Sequence, residues 1–524
     1  MPNPFSNEQG RFSIITPCYK TAYRTFDKFF SALNESDYHN FEVIISFDGP
    51  NARGWRELEK MREKYPEMDI HHVNSEWGGA PHARNKGANM ATGDFLTFLD
   101  PDVYLYSDTM RFWINSFEES PDKDVVWGLY DILVDNEKKP VGGAIPCDAA
   151  DQPVYYAFRS SNYCSGAFPI RKSAYVGWDE SVKSLQDWDM WQRMLLKDNF
   201  EGKKFKFHRR SFFATEPIQE GGISHDSATN WIERTDYVRN KNGIPKSDMV
   251  VCSLGAPFHG VNISKMLGVD YLPMPSFKPH EYKTIYLVGF YPTGLEGHLQ
   301  VFANFKGKKI IHWIGTDIYQ LNHTTSVSTL EELKHYFKID KFIHLSEYQT
   351  THDELRKLGL KSKIVPIPPQ KIYEPMPLPK KFIVGIYENP TQNMYAEEQM
   401  EHIARSMPDI EFKLFGDETK KGNKFDNVEH LGWVSLDEWM PKLSCNLRMT
   451  IHDGLSLTIL QFLTAGRTVV TNSKVKGTLY VSNDRKSIVE ALRACQSVTT
   501  GTKAAKYWIN ELKLSKFKKR IGAL

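Results

Sequence analysis

The stretch FLTFLDPD, Phe95 to Asp102, decides how the first part of this chain is read. A mostly apolar run ends in two acids separated by a proline, so a buried strand delivers Asp100 and Asp102 together at its carboxyl end. In isolation an Asp-Pro pair is an ordinary turn leaving a strand. The surroundings argue for more. Upstream, RFSIITP (11–17), FEVIISFDGP (41–50) and IHHVN (70–74) read as three further strands. Between them YRTFDKFFSALNES (23–36), GWRELEKMREKYP (54–66) and PHARNKGANMAT (81–92) read as helices. This alternation predicts a parallel α/β sheet, in which ligands sit at the carboxyl ends of the strands. The Thr-Pro, Phe-Asp-Gly-Pro and Asp-Pro-Asp segments all fall there.

The 524 residues are too many for one ordinary core and suggest two or three domains. A hydrophobic fraction of 41% with 25% charged residues is globular rather than disordered. A formal net charge of +2 gives no overall argument for a polyanionic partner. Cys18, Cys147, Cys164, Cys252, Cys445 and Cys495 are scattered singly, which reads as reduced thiols in a cytoplasmic protein. Neither a signal-peptide pattern nor an apolar run long enough to span a bilayer is present, so the expectation is a soluble protein, at most peripheral to a membrane.

A first α/β domain is expected over 1–240. From Lys246 a second series of strand-like runs begins, including DMVVCSLG, KTIYLVGF, KKIIHWIG and DKFIHLS. The proline-rich KIVPIPPQKIYEPMPLPKK (363–381) reads as a linker, after which KFIVGIYE, EFKLFGD, CNLRMTI and RTVVTN form a third series. The prediction is two more Rossmann-like lobes, over 246–370 and 380–500, and a basic tail over 501–524.

Chemistry-bearing residues recur in order through the first domain. Pro17 and Tyr19 follow the first strand and Asp48 ends the second. GGAPHARNKGANMATGD supplies Gly78, Gly79 and Arg84 before FLTFLDPD. A nucleoside diphosphate needs such parts: a carboxylate for base or ribose, backbone that a ligand can approach, a guanidinium fork, and hard oxygen ligands for Mg²⁺ or Mn²⁺. Further on, Asp187 and Asp189 in QDWDMWQR open a helix, where they are either capping residues or, for a carboxylate at a pocket edge, a general base. His225 in GGISHDS is either a third metal ligand or an ordinary loop histidine.

The ordered set TPxY, FDGP, GG…ARNKG…ATGD, FLDPD, SGAF and QDWDMWQR resembles the family 2 glycosyltransferases of GT-A fold, over nearly all of 11–240. The resemblance implies inverting transfer from a nucleotide sugar with a divalent metal. Carried over by position, Asp102 is the main metal ligand with Asp100 assisting, and Asp187 is the catalytic base. Gln186 stands where the family has the first acid of a Glu-Asp pair, and Phe47 where it often has the first acid of an Asp-Asp pair. Nucleotide recognition is then left to Asp48.

In the last two thirds, HWIGTD (312–317) and HDGLSLTILQFLTAGR (452–467) are similar to segments of the GT-B glycosyltransferases, in which two Rossmann lobes clamp a nucleotide sugar. That resemblance implies donor contacts from Asp317, Asp453, Gly454 and Gln461, with an anion site at the helix start near Gly454 to Ser456. Asp453 and Gln461 occupy the places of two family glutamates, and the usual basic pair for the diphosphate is missing, leaving Lys413 and Arg448 as candidates. The tail carries seven cations from Lys503 to Arg520 against Glu511. It reads either as an amphipathic basic helix for a membrane surface or nucleic acid, or as a packed last helix. Three functions remain open at this point: a two-module glycosyltransferase building a glycan or glycolipid, a transferase acting on hydroxymethylated DNA, and a transferase whose C-terminal lobes only bind or assemble.

Overall fold

The computed structural model describes residues 10–134, 137–141, 145, 147, 153, 155–216, 228–253, 256–273, 282–291, 305–323, 325–339, 341–388, 397–417, 419–497 and 501–524. The chain divides into two units, residues 1–146 with 152–246 and residues 147–151 with 247–524.

The first unit is built on a nine-stranded mixed sheet. Its strands are β1 (Phe12–Cys18), β2 (Phe41–Asp48), β3 (Asp69–Ser75), β4 (Phe95–Phe98), β5 (Val103–Leu105), β6 (Val125–Val134), β7 (Glu137–Val141), β8 (Ile170–Arg171) and β9 (Phe205–Thr215). Their order is β3-β2-β1-β4-β8-β6-β9-β5, with β7 paired to β6. The β3-β2-β1-β4 part is parallel. Both β1 and β2 are buried at every position, which is why they read as unbroken apolar runs rather than alternating ones. The chain runs outward from β1 to β3 and then returns to the other side of β1 as β4. The crevice past Cys18 and Phe98 is therefore a topological switch point. Beyond it β8 pairs antiparallel to β4, and β5 pairs antiparallel to β9 with Val103 opposite Thr215. That pairing returns the end of β9 to the Asp-Pro-Asp turn.

In the second unit, β10 (Met249–Ser253), β11 (Asp270–Pro273), β12 (Thr284–Val288), β13 (Lys308–Trp313), β14 (Ile343–Ser346) and β15 (Ser362–Ile364) form one parallel sheet of order β11-β10-β12-β13-β14-β15. A second sheet holds β16 (Ile383–Tyr387), β17 (Glu411–Phe415), β18 (Gly422–Phe425), β19 (Val428–Gly432), β20 (Cys445–Arg448), β21 (Thr468–Thr471) and β22 (Leu479–Tyr480), in the order β18-β19-β17-β16-β20-β21-β22. Only β18 runs antiparallel there. Each sheet carries its own apolar core, one around Ile285, Leu287 and Trp313, the other around Ile386, Phe412 and Leu447.

One expectation changes. The proline-rich segment is strapped to the second lobe rather than free: buried Arg467 donates to the carbonyls of Met376, Pro377 and Met440, and Tyr373 Oη donates to Asp437 at 2.7 Å. Of the two readings of the tail, the structure follows the packed one. The tail forms the helices Thr502–Glu511 and Leu514–Gly522, whose apolar stripe of Trp508, Leu512, Phe517 and Ile521 is buried. The second of these packs back on the helix Pro257–Leu267 of the first lobe. Among the described residues no helix is long and apolar enough to cross a membrane, and none of the six cysteines is in a disulfide.

Candidate active site

Asp100 and Asp102 stand at the carboxyl end of β4, in a turn closed by the Val103 N–H donating to the Asp100 carbonyl at 3.0 Å. Burial, the Asp100 charge and Glu216 push the Asp102 carboxyl up to about 6. Glu216 arrives from the end of β9, where its N–H donates to the Asp102 carbonyl at 3.2 Å. Lys28 and Tyr104 hold its carboxylate, at 3.0 and 3.2 Å. Three acids thus approach one turn, with Asp100 already paired to Arg84 and Glu216 to Lys28.

Arg84 projects from the helix Ala80–Met90, which starts after Gly79 with Pro81 in its first turn. Its guanidinium donates to Asp100 Oδ1 at 2.7 Å and to Gln186 Oε1 at 3.1 Å, and it stacks 4.6 Å from the Trp178 ring. The planar fork suits this double contact as a lysine would not. Arg84 therefore joins the Asp-Pro-Asp turn to the start of the helix Gln186–Leu196.

That helix begins from Leu185 in the left-handed region, φ 59°. A branched side chain in this conformation is strained, and such strain concentrates at functional positions. It aims Asp187 at a neighbourhood where a Cβ on Gly166 would lie 3.4 Å from the Asp187 Cβ. Burial pushes the Asp187 carboxyl up, opposed by hydrogen bonds from the Trp188 N–H and Asn162 and by the charge of Arg84. Asp189, two positions on, is fully buried and belongs to packing. It pairs with Arg193 at 2.9 Å and Lys241 at 2.8 Å, tying this helix to Ala228–Lys241.

The Asp48 carboxylate accepts from the Gly78 N–H at 2.9 Å and the Gly79 N–H at 3.1 Å, so it fixes the loop that leads to Arg84. Pro17 is buried in β1, while Tyr19 and Trp77 stand exposed with ring centroids 5.6 Å apart. Beside them an open hollow of about 1040 Å³ is lined by Gly49, Asn51, Trp55, Glu76 and Trp77. Gly49 has φ +82°, and a Cβ there would strike the Trp77 ring. His225 lies outside the described residues.

Residues 13–176 match the model of glycosyl transferase family 2. The chain is 28% identical over 189 residues to the amylovoran biosynthesis glycosyltransferase AmsB of Erwinia amylovora, covering 34% of this chain and 62% of that protein. It is 26% identical over 121 residues to the glucosyl-dolichyl phosphate glucuronosyltransferase of Haloferax volcanii, covering 22% and 37%. The chain thus spans less than two thirds of the length of either relative. Among solved structures, S. aureus TarS 1–349 in complex with UDP-GlcNAc aligns at a TM-score of 0.35 and 18% identity, over 44% of this chain and 65% of that one, too slight a likeness to decide a fold.

In the first unit, sequence reasoning missed Glu216, Asn162 and Trp178, and gave Gly166 of SGAF no role of its own. Only the return of β9 brings Glu216 to Asp102, and only the packing of the 160–180 segment brings the others to Asp187 and Arg84. Among the described residues, two groups place three potential metal ligands together, Glu42–Asp69–His71 and Glu388–Glu401–His430. Cations already meet both: Arg11 pairs with Glu42 and Asp69, Lys420 with Glu388, and Lys424 with Glu401.

In the second unit the candidate donor residues take other roles. Asp317 is fully buried, and its carboxylate accepts from the N–H groups of Phe290, Ile314 and Ile318 at 3.0, 3.1 and 2.9 Å. It pins the turn after β13 and has no surface to offer a donor, which corrects the expectation. Lys413 is corrected too: it sits in mid-β17 and pairs across the sheet with Glu429, away from the carboxyl ends. Arg448 and Asp453 form a buried two-pronged pair, at 2.6 and 3.2 Å. Gln461 is half-buried on the helix Leu457–Thr464, which Ser456 caps. Just before that helix, Glu347 from the first lobe accepts from the Leu455 N–H at 2.9 Å. Glu347 is buried, and burial holds its carboxyl well above the ordinary range, with Asp317 and Asp453 adding to the rise. At the same place Gly315 and Gly454 meet backbone to backbone, since a Cβ on Gly315 would lie 2.6 Å from the Gly454 nitrogen. Glu354 and His452 form a second contact between the lobes at 2.9 Å.

Proposed function

We propose that the first unit transfers a glycosyl group from a nucleotide sugar to an acceptor hydroxyl with inversion, and that Asp187 is the base. The observation that carries this reading is the Arg84 bridge, which holds the Asp-Pro-Asp turn and the start of the Asp187 helix in one site. The Asp187 carboxyl, raised by burial, accepts the proton of the acceptor hydroxyl. The freed oxygen bonds to the anomeric carbon as the bond from that carbon to the diphosphate breaks, and the nucleoside diphosphate leaves. Arg84 offers a fixed cation beside the departing group, and Asp48 fixes the Gly78–Gly79 loop that leads to it. Asp102 and Asp100 would hold Mn²⁺ or Mg²⁺, which when bound offsets the diphosphate charge. The acceptor is a glycan, a glycolipid or a hydroxymethylated DNA base. Asp187→Asn is expected to abolish transfer while nucleotide-sugar binding, read by calorimetry with Mn²⁺, survives. Full transfer by that variant removes Asp187 as base.

For the second unit, its two mostly parallel sheets and returning last helix support a GT-B-like arrangement, and one observation favours a binding or assembly role over a second donor site. The Leu455 N–H, just before the Ser456 cap in the segment expected to hold a donor phosphate, is taken by the chain's own Glu347 carboxyl. In full-length protein carrying Asp102→Ala and Asp187→Asn, no nucleotide-sugar hydrolysis or transfer is expected. Residual turnover there would assign it to the second unit and defeat this reading.

A further inference from the structure

The tail buries its predicted apolar stripe but leaves a different surface exposed. On the helix Thr502–Glu511, Ala505, Trp508 and the following Leu512 face inward, which turns Lys503, Lys506 and Tyr507 to solvent. The loop between β21 and β22 lies against this helix. Trp508 Nε1 donates to the Lys476 carbonyl at 2.8 Å, and a Cβ on Gly477 would come within 2.7 Å of the Ala504 Cβ. Lys476 Nζ sits 3.7 Å from the Tyr507 ring centroid, and Lys474 Nζ 5.5 Å from that of Tyr480. Exposed apolar side chains of these segments and of the helix that follows are Tyr480 by 55%, Leu514 by 43%, Leu479 by 39% and Tyr507 by 36%.

We propose that the surface formed by the segment from Lys474 to Tyr480 and the helix Thr502–Glu511 docks the protein on an anionic lipid surface. Two features select that partner. Lys474, Lys476, Lys503 and Lys506 are all exposed, and Glu511, at the end of the helix, is engaged by Lys516 and Arg520. Such lysines draw a polybasic surface toward acidic headgroups. Interleaved with them are two tyrosines and two leucines. Amphipathic tyrosine rings settle at the headgroup level, and leucines gain by entering the acyl boundary. A phosphodiester backbone would use the lysines but give exposed leucines nothing to bury against. The binding is peripheral and reversible, through folded loops and helix faces rather than an inserted helix, because Trp508, Leu512, Phe517 and Ile521 are already committed to the protein core.

The test is flotation of the full-length chain with vesicles of phosphatidylcholine plus phosphatidylglycerol, against vesicles of phosphatidylcholine alone, at low and high salt. Flotation is expected only with the anionic vesicles, and high salt should weaken it. The double substitution Lys503→Glu with Lys506→Glu is expected to lower the vesicle association constant about tenfold or more. Tyr480→Ser with Leu514→Ser should weaken binding without changing its salt dependence. Far- and near-UV circular dichroism confirm that each variant is folded. No flotation, equal flotation with neutral vesicles, wild-type flotation of the lysine variant, or tighter binding to a DNA duplex than to the anionic vesicles each overturns the proposal.

Discussion

Arg84 and Gln186, 102 positions apart in sequence, meet at 3.1 Å, and the same guanidinium also holds Asp100. A residue from the strand-end loop and one from the Asp187 helix are thereby locked to a common cation. Where the family resemblance calls for a glutamate, the neutral Gln186 still serves as acceptor for this fork.

Arg84→Ala should therefore loosen both sides of the site. Steady-state kinetics are expected to show transfer reduced about 100-fold, with a rise in donor KM as well as a fall in kcat. Arg84→Lys should recover little, because one ammonium cannot reproduce two directed contacts.

The crowding at Asp102 has a pH signature. Its folded value of about 6 lies above the ordinary 3.8, so between those values the folded state holds more protons than the unfolded one. Stability of the metal-free protein then falls as pH rises through that window. Asp102→Asn should raise the melting temperature at pH 8, by the equivalent of about 1 kcal/mol after solvent screening, and change it little at pH 4. Added Mn²⁺ should stabilise the wild type at pH 8 and not the variant.

Glu347 offers a second pH test. Glu347→Gln keeps an acceptor for the Leu455 N–H and removes the buried acid, so it should match or exceed the wild type in stability, with a margin that grows as pH rises. Glu347→Ala leaves that N–H unpaired and should cost about 1–3 kcal/mol in chemical denaturation.

Neighbouring acids on one helix should separate cleanly. Asp189→Asn weakens the buried link to Arg193 and Lys241, and denaturant titration should show a loss of about 3 kcal/mol. Asp187→Asn should lose transfer while keeping its unfolding midpoint, since its carboxyl is disfavoured by burial.

Much of this was legible from local pattern. The unbroken apolar runs of β1, β2 and β4 and the carboxylates that end them follow from neighbouring residues alone, so strands and strand-end acids could be placed without coordinates. The helix carrying Arg84 and the one opening on Asp187 were equally readable, the first from its glycines and proline, the second from its opening acids. What could not be read was which carboxylate faces a cavity and which is consumed. Asp187 and Asp189 look alike in sequence, yet one borders the site and the other is sealed among cations. Asp317 and Lys413 looked like donor contacts, and packing spent both on the protein itself.

The chain alone therefore determined an α/β first domain whose strands end in a family 2 pattern, because periodicity and residue type act over a few neighbours. Tertiary structure decided the rest. It brought Glu216 to Asp102, bridged Asp100 to Gln186 through Arg84, and set Glu347 on the Leu455 N–H across 108 residues. Burial and charge pairing depend on which distant segments share a space, and that is settled only when the sheets close and their crossovers pack.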